Sequence, residues 1–478
     1  MNEARPGFVQ RHAAVLLILW TGCSVLLGNG ATGYIRGDAL LYAAVMKQIA
    51  QTGDWLPLRI GDEPYFNKPP LMFWWGAALF KALGTSVWVA RLIGALPSMG
   101  LMFATFAVVR RLADPKRALL ASLMLGTFLI FGRYGGIPRL EAPLTLFAVA
   151  AVLAALASRT RPNVALLFGA SVAGGFLVKG PAGLLPVATV AVWSLLRRDL
   201  SPWNSWRTWV GLVVLVPAVR ALWFQHLESE GGYETYMTDL TDTAGGLLGT
   251  DLPWERYGKD ILVEWLPWLP FVAHGLWICV RRVLRGEREG VPALAIAWFV
   301  VNVVSILCIQ SAYARYLFPL LPAIAMFAAE SVAALFPRFV EQRLERTVAI
   351  GLACATTIVH VGPFKTQSSE VPELVTLAPA LRAHGATEPI PFLSDHVGRR
   401  MQSSAIVHLG TIVRTVSPDD VRAAVRDRGA CVVVIDEANN TPRGLVFTVL
   451  VEAGEYQAVE FRTDPTFESG APPQRNRK

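Results

Sequence analysis

Long apolar runs recur from residue 12 to residue 362, and the polar connections after every second run carry arginines in pairs: Arg110/Arg111, Arg159/Arg161, Arg197/Arg198, Arg281/Arg282 and Arg343/Arg346. A run of about 20 apolar residues suits a helix that crosses a bilayer with its backbone hydrogen bonds satisfied internally. Short loops rich in arginine stay on the cytoplasmic side. The pattern therefore predicts an all-α polytopic membrane protein and its orientation together. Runs centred on 12–30, 85–109, 117–133, 143–158, 163–179, 181–196, 208–225, 260–280, 291–309, 316–336 and 346–362 give about eleven crossings. Starting inside, that count puts the C-terminus outside and every Arg-rich connection in the cytoplasm.

Composition agrees: 53% of residues are hydrophobic and 17% charged, against about 25% charged in soluble domains. The net charge of +8 sits largely in the inner loops, where the positive-inside bias accounts for it, so a nucleic-acid partner is not expected. The five cysteines, at 23, 279, 308, 354 and 431, have no CxxC spacing, which argues against a disulfide framework or a thiolate metal site. The run from His12 to Leu27 lacks a convincing small-residue cleavage site and is read as the first helix.

Two outer loops, 31–84 and 226–259, are too long to be mere connectors. In the first, apolar residues 41, 45, 46 and 49 follow a helical period behind Asp38, which stands where an N-cap would. Leu71 to Phe80 is apolar but too short to span, so it is expected as an interfacial helix. The membrane domain is taken as 1–362 and the remainder, 363–478, as a small extracytoplasmic α/β domain with a polar tail. There Val421 to Arg426 reads as helix, and Cys431 to Ile435, 404–416 and 445–451 read as strands.

The outer connections hold Asp38, Lys68, Glu141, Lys179 and Arg315. Lys68 lies in Glu63-Pro64-Tyr65-Phe66-Asn67-Lys68-Pro69-Pro70, whose paired prolines fix an extended backbone. With Arg139-Leu140-Glu141-Ala142-Pro143-Leu144, Val178-Lys179-Gly180-Pro181 and Arg315-Tyr316-Leu317-Phe318-Pro319-Leu320-Leu321-Pro322, this segment resembles, in the same order, the motifs of the bacterial GT-C glycosyltransferases of the aminoarabinose transferase and protein O-mannosyltransferase superfamily. The resemblance covers about residues 12–336.

It implies transfer of a sugar from a polyprenyl phosphate, with inversion, to an extracytoplasmic glycolipid, protein or cell-envelope polymer, in the bacterial plasma membrane. Lys68, Lys179 and Arg315 would offset charge on the departing phosphate. Asp38 is the candidate base, and Glu141 would help position the acceptor. The chain departs from the family in three places: Asn67 replaces a glutamate, no histidine lies between His226 and His274 to join it on zinc, and Glu141 stands where aspartate is usual. No structural zinc of that kind is expected, and a divalent cation at Asp38 or Glu141 is left open.

Structural roles compete at each position. Asp38 can be a cap, Lys68, Lys179 and Arg315 membrane anchors, and Arg91 a snorkelling or paired residue. Glu141 can simply pair with Arg139 or Arg133. The Phe73-Trp74-Trp75 cluster fits an interfacial belt, His274 a packed side chain, and Glu234, Asp239, Asp242 and Asp251 either acceptor or lid contacts or solvated charges. Two other functions stand beside the enzyme: a multipass transporter or lipid flippase, and a catalytically degenerate homologue. Transporters predict ionisable groups at mid-membrane depth and internal repeats, and neither is evident.

Overall fold

The computed structural model describes residues 12, 37–243, 253–309, 313–338, 340, 373–384, 389–393, 399–436, 442, 445–454 and 456–463. The expected spans 12–30 (apart from His12) and 346–362, with Arg343, Arg346, Cys23, Cys354 and Asp251, lie outside the described residues. The chain divides into two compact units, one made of 1–32, 65–79 and 88–366, the other of 33–64, 80–87 and 367–478.

In chain order the first elements are helix α1 (Asp38–Thr52), a two-stranded hairpin of β1 (Arg59–Ile60) and β2 (Glu63–Pro64), and helix α2 (Leu71–Leu83). The last is the short apolar helix expected at 71–80. Its Phe73 packs edge-on against Tyr65 with ring centroids 5.7 Å apart, and Trp75 donates to the Ile93 carbonyl at 3.2 Å. Phe73 is therefore buried packing, whereas Trp75 is exposed.

The helical unit continues with α3 (Val87–Leu112), α4 (Pro115–Leu125), α5 (Leu129–Tyr134), α6 (Glu141–Ser158), α7 (Ala165–Lys179), α8 (Leu185–Arg197), α9 (Trp206–Ser229), α10 (Tyr233–Thr243), α11 (Pro253–Glu264), α12 (Leu269–Leu284), α13 (Val291–Leu307) and α14 (Leu321–Leu335). Among the described residues five helical stretches are long and apolar enough to cross a membrane, and a sixth if α12 and the end of α11, bent by 101°, form one span. This is a multi-pass membrane protein. Val213, Val214 and Leu222 of α9 are exposed large hydrophobics, as a lipid-facing helix requires.

Two departures from the expected runs have local causes, and a third stretch turns where the sequence parts the runs 163–179 and 181–196. Run 117–133 is broken into α4 and α5: Asp114 caps α4 by accepting from the Lys116 and Arg117 amides, and Thr127, just past its end, bonds Met124 O and receives Trp268 Nε1 at 2.7 Å. Run 260–280 bends in the segment holding Pro267, which has no amide hydrogen to continue a helix. Residues 162–197 form one apolar helical stretch, yet a Cβ on Gly175 would stand 3.1 Å from Gly183 Cα. Positions so separated in a straight helix lie about 12 Å apart, so the chain doubles back at Gly180, whose φ is +58°.

The bundle has two chemically different ends. At one, Arg197 bonds both oxygens of Glu289 at 2.8 Å, Arg159 and Arg197 share Asp199, and Glu330 receives Arg282 at 2.8 Å and Arg117 at 3.5 Å. These are loops that the sequence assigns to one membrane face. Glu141 and Lys179 lie at the opposite ends of α6 and α7 from those arginines.

In the second unit, α15 (Glu373–Ala383), β3 (Ile390–Leu393), α16 (Arg399–Ser404), β4 (Val413–Val416), α17 (Pro418–Arg428), β5 (Ala430–Asp436), β6 (Leu445–Ala453) and β7 (Tyr456–Thr463) build a five-stranded mixed sheet of order β4-β3-β5-β7-β6. The Val-rich β5 is central: Val432 and Val434 join the core beneath α15, while Val433 and Ile435 join that beneath α17, the two-sided burial that a continuous apolar strand predicts. Of 404–416 only β4 is extended; residues 399–409 are helical with a π turn at Ala405–Leu409.

Those helical residues pack on α1 in the same unit. Consequently α1 is not the one-sided amphipathic helix expected: Tyr42, Ala43, Ala44, Val45, Met46 and Lys47 are all buried, while Leu41 is only half-buried. Lys47 donates to Val407 O at 3.0 Å, and burial pushes its pKa below the ordinary 10.5. Glu63 pairs with Arg399 at 3.5 Å. Asp38 is the first residue of α1 and not its cap. That place belongs to Gly37 at φ 59°, which makes no side-chain cap bond, and Asp38 instead puts its negative charge in the favourable first turn.

Candidate functional site

Glu141 begins α6, with Pro143 in the first turn, where a missing amide hydrogen costs the helix nothing. Lys179 ends α7, a position that suits a cation. Its ammonium donates to Glu141 Oε1 at 3.1 Å. Arg315 stands in the short 3-10 turn Ala314–Leu320 that leads into α14, 3.9 Å from the same carboxylate oxygen. Glu141 is 3% exposed, and among the described residues its Oε2 takes no hydrogen bond. Of the competing expectations for Glu141, pairing with Arg133 is corrected, because Arg133 makes an ion pair with the buried Glu264, whereas Arg139, 5.5 Å from the Tyr134 ring centroid, does act on Glu141 electrostatically.

Two tyrosines hold the cations in place. Arg315 sits 3.9 Å from the ring centroid of Tyr313 and 5.3 Å from that of Tyr316, and Lys179 Nζ is 4.9 Å from the Tyr316 centroid. Ring faces attract cations without neutralising them.

The outer segments bring Lys68 to this cluster. Phe66 wedges into an aromatic core of Phe176, Trp223, Leu227 and Tyr236. Gly232 is required there, because a Cβ would overlap the Phe66 ring. This packing delivers Lys68 to α10, where it pairs with Asp239, while Asn67 Nδ2 donates to Asp239 Oδ1 at 3.2 Å. The Lys68 charge is felt at Lys179. Tyr236, one turn before Asp239, lies against the Gly180 turn. Burial first, and the charge of Asp239 second, push its phenol up to about 12.

Lys68, Glu141, Lys179 and Arg315 are thus assembled within the helical unit. Asp38 belongs to the other unit. Sequence reasoning named Asp239 only as one of four acids in the second long loop and did not single out Tyr236, Tyr313 or Tyr316; Tyr316 was inside a recognised motif, but nothing local distinguished Asp239 from the other acids of α10. Arg91 is fully buried and does not snorkel. His274 packs as expected, stacked on Trp277 with Nδ1 2.9 Å from Ser331 Oγ.

The electrostatics favour an anion. Lys68, Lys179, Arg315 and Arg139 outnumber Glu141 and Asp239, leaving the cluster net positive, as suits an anion such as a phosphodiester. Glu141 fits a divalent cation poorly, since Lys179, Arg315 and Arg139 already surround it. Among the described residues no three His, Cys, Asp or Glu side chains gather as a metal site.

Comparison with known proteins bears on the fold. Residues 67–224 match the family described as dolichyl-phosphate-mannose-protein mannosyltransferase. An undecaprenyl phosphate-alpha-4-amino-4-deoxy-L-arabinose arabinosyl transferase of Shewanella sediminis is 24% identical over 350 residues, 68% of this chain and 60% of that protein. A second such transferase, from Pseudomonas fluorescens, is 24% identical over 72% of this chain and 62% of its own length. The chain therefore spans about three fifths of these curated relatives. The crystal structure of ArnT from Cupriavidus metallidurans bound to undecaprenyl phosphate superposes with a TM-score of 0.76 at 16% identity, covering 98% of this chain and all of that one. The archaeal oligosaccharyltransferase AglB from Archaeoglobus fulgidus, in complex with an inhibitory peptide and a dolichol-phosphate, gives 0.52 at 11% identity, covering 90% and 70%.

The fold is that of the GT-C membrane glycosyltransferases. Within that class, the sequence similarity runs to the aminoarabinose transferases, and residues 67–224 to the protein mannosyltransferase family model.

Proposed function

We propose that the protein is an inverting glycosyltransferase of the bacterial plasma membrane that moves a hexosyl or pentosyl group from a polyprenyl phosphate to a glycolipid, protein or cell-envelope acceptor outside the cytoplasm. The observation that carries this reading is the meeting of Lys179 and Arg315 on Glu141, with Lys68 held nearby on Asp239, at the end of the bundle away from its arginine-rich loops. The names of the relatives and of the undecaprenyl phosphate-bound neighbour support the donor class.

In the proposed reaction the acceptor oxygen attacks the anomeric carbon from the face opposite the phosphate. The new glycosidic C–O bond forms as the bond from the anomeric carbon to the phosphate oxygen breaks, the electron pair leaves with the polyprenyl phosphate, and the acceptor proton passes to a carboxylate. The diester acquires a second negative charge as it departs. Lys68, Lys179 and Arg315, already oriented, stabilise that growing charge more than the ground state, which is what accelerates the step. Asp38 is assigned as base on the strength of the motif resemblance, and Glu141 holds Lys179 and Arg315 at the phosphate. About eleven spans, a division near residue 362 and an outer 363–478 domain complete the proposal.

Mass spectrometry of envelope glycolipids and glycoproteins tests it. Deleting the gene removes a sugar-bearing species that the wild-type gene restores and the Lys68→Ala gene does not; an unchanged envelope overturns the reading.

A further inference from the structure

The two carboxylates of the cation cluster differ in a way that separates their roles. The Glu141 side chain is 4% exposed and its partner Lys179 19% exposed, whereas Lys68 and Asp239 are 23% and 31% exposed. Ion pairs near solvent are weak and exchange readily, while buried ones are costly to part. Asp239 also lies toward the C-terminal end of α10, three residues beyond Tyr236, whose side chain is buried in the aromatic core. Its carboxylate can leave Lys68 without disturbing that anchor.

We propose that Asp239 is an exchangeable stand-in for the donor's phosphate: it occupies Lys68 in the empty site, gives way when the donor arrives, and competes for Lys68 again to expel the spent carrier. The inference rests on the assignment of Lys68 to the donor phosphate. A phosphate bonded to Lys68 lies beside Asp239, and two anions sharing one ammonium repel. The repulsion grows when the diester becomes a monoester with a second negative charge, so Asp239 opposes the product more than the substrate. Asn67 fits this role because it donates to Asp239 Oδ1. A carboxylate at position 67 would instead face a second carboxylate. Lys179 has no such arrangement, since Glu141 is fixed at the start of α6 and packed away from water.

The test is equilibrium binding of radiolabelled undecaprenyl phosphate to the full chain in detergent micelles, with thermal unfolding as a check on folding. Lys68→Ala weakens binding about tenfold. Asp239→Asn strengthens it about fivefold, the size of a partly exposed charge interaction. With a transferable donor, the same variant lowers KM and also lowers kcat because the spent carrier leaves slowly. Asp239→Ser replaces Asp239→Asn if the latter does not fold. Weaker binding in a folded Asp239 variant makes Asp239 a positioning group and overturns the inference, as does unchanged binding while Lys68→Ala still loses affinity. Unchanged affinity in Lys68→Ala overturns the phosphate assignment itself.

Discussion

Lys179 Nζ donates to Glu141 Oε1 at 3.1 Å, tying the last residue of one membrane helix to the first residue of another. The pair is nearly enclosed, so the charge left by removing either partner has little water to receive it. Breaking such a pair typically costs about 3–5 kcal/mol, whereas replacing both partners with apolar residues is often neutral. Glu141→Ala is therefore expected to lower thermal stability strongly, and the double variant Glu141→Leu/Lys179→Met to recover most of it. Neither variant should recover glycosyl transfer under the proposed assignment, because the first leaves Lys179 and Arg315 without the carboxylate that holds them and the second removes the lysine itself. Thermal unfolding and transfer assays on the same samples check both parts.

Arg315 offers a sharper separation of charge from shape. Its guanidinium lies 3.9 Å from the centroid of Tyr313, a face-on contact that a lysine ammonium reproduces poorly. Arg315→Lys should lower the transfer rate about tenfold, and Arg315→Met by about a hundredfold or more, the range seen when a preorganised charge-stabilising group is lost. Equal losses in the two variants would mean that the guanidinium's shape matters there and its charge does not; an undiminished rate in Arg315→Lys would mean that charge alone matters.

The turn at Gly180 can be tested by adding one methyl group. Its φ of +58° disfavours any side chain, and a Cβ would stand 2.6 Å from Tyr236 Oη. Gly180→Ala should destabilise the protein by about 1–2 kcal/mol from the backbone conformation alone, and further through the clash. Adding Tyr236→Phe removes the offending oxygen and should return part of the loss, a coupling measured by a double-mutant cycle.

Lys47 predicts a pH effect. Burial lowers its folded pKa below the ordinary 10.5, so between the two values the unfolded chain binds more protons than the folded one. Stability contributed at this site therefore rises with pH through the folded pKa and levels off near 10.5; below the folded pKa the full penalty of a buried charge remains. Lys47→Met removes that penalty and should raise the melting temperature most at the lower end of the range. The advantage over wild type shrinks as pH climbs, and an advantage independent of pH would contradict the burial argument.

Much of the site was readable because its residues sit beside backbone punctuation. Glu141 is followed by Pro143, Lys179 by Gly180-Pro181, and Arg315 by Pro319 and Pro322, so sequence alone placed these charges at helix ends. The arginine pairs likewise anticipated the ion-pair network of Arg159, Arg197 and Arg282 at one end of the bundle. Hydropathy did not locate the breaks in 117–133 and 260–280, because apolar content is nearly uniform across them. The break at Gly126–Phe128 depends on Thr127 meeting Trp268 from far along the chain. Burial of α1 was hidden for the same reason: its partners, 399–409, are distant in sequence. Asp239 was the hardest to see, since its bond to Lys68 spans 171 positions and leaves no local pattern.

The central claim is that Lys68, Lys179 and Arg315 form one polyprenyl phosphate site, and photo-crosslinking addresses it most directly. An undecaprenyl phosphate analogue carrying a diazirine next to its phosphate, irradiated with the purified full-length protein and mapped by peptide mass spectrometry, should label peptides containing Phe66–Pro70, Phe176–Pro181 and Tyr313–Phe318. Excess undecaprenyl phosphate should abolish that labelling. Labelling confined to the arginine-rich end of the bundle, around Arg197 and Arg282, would contradict the account.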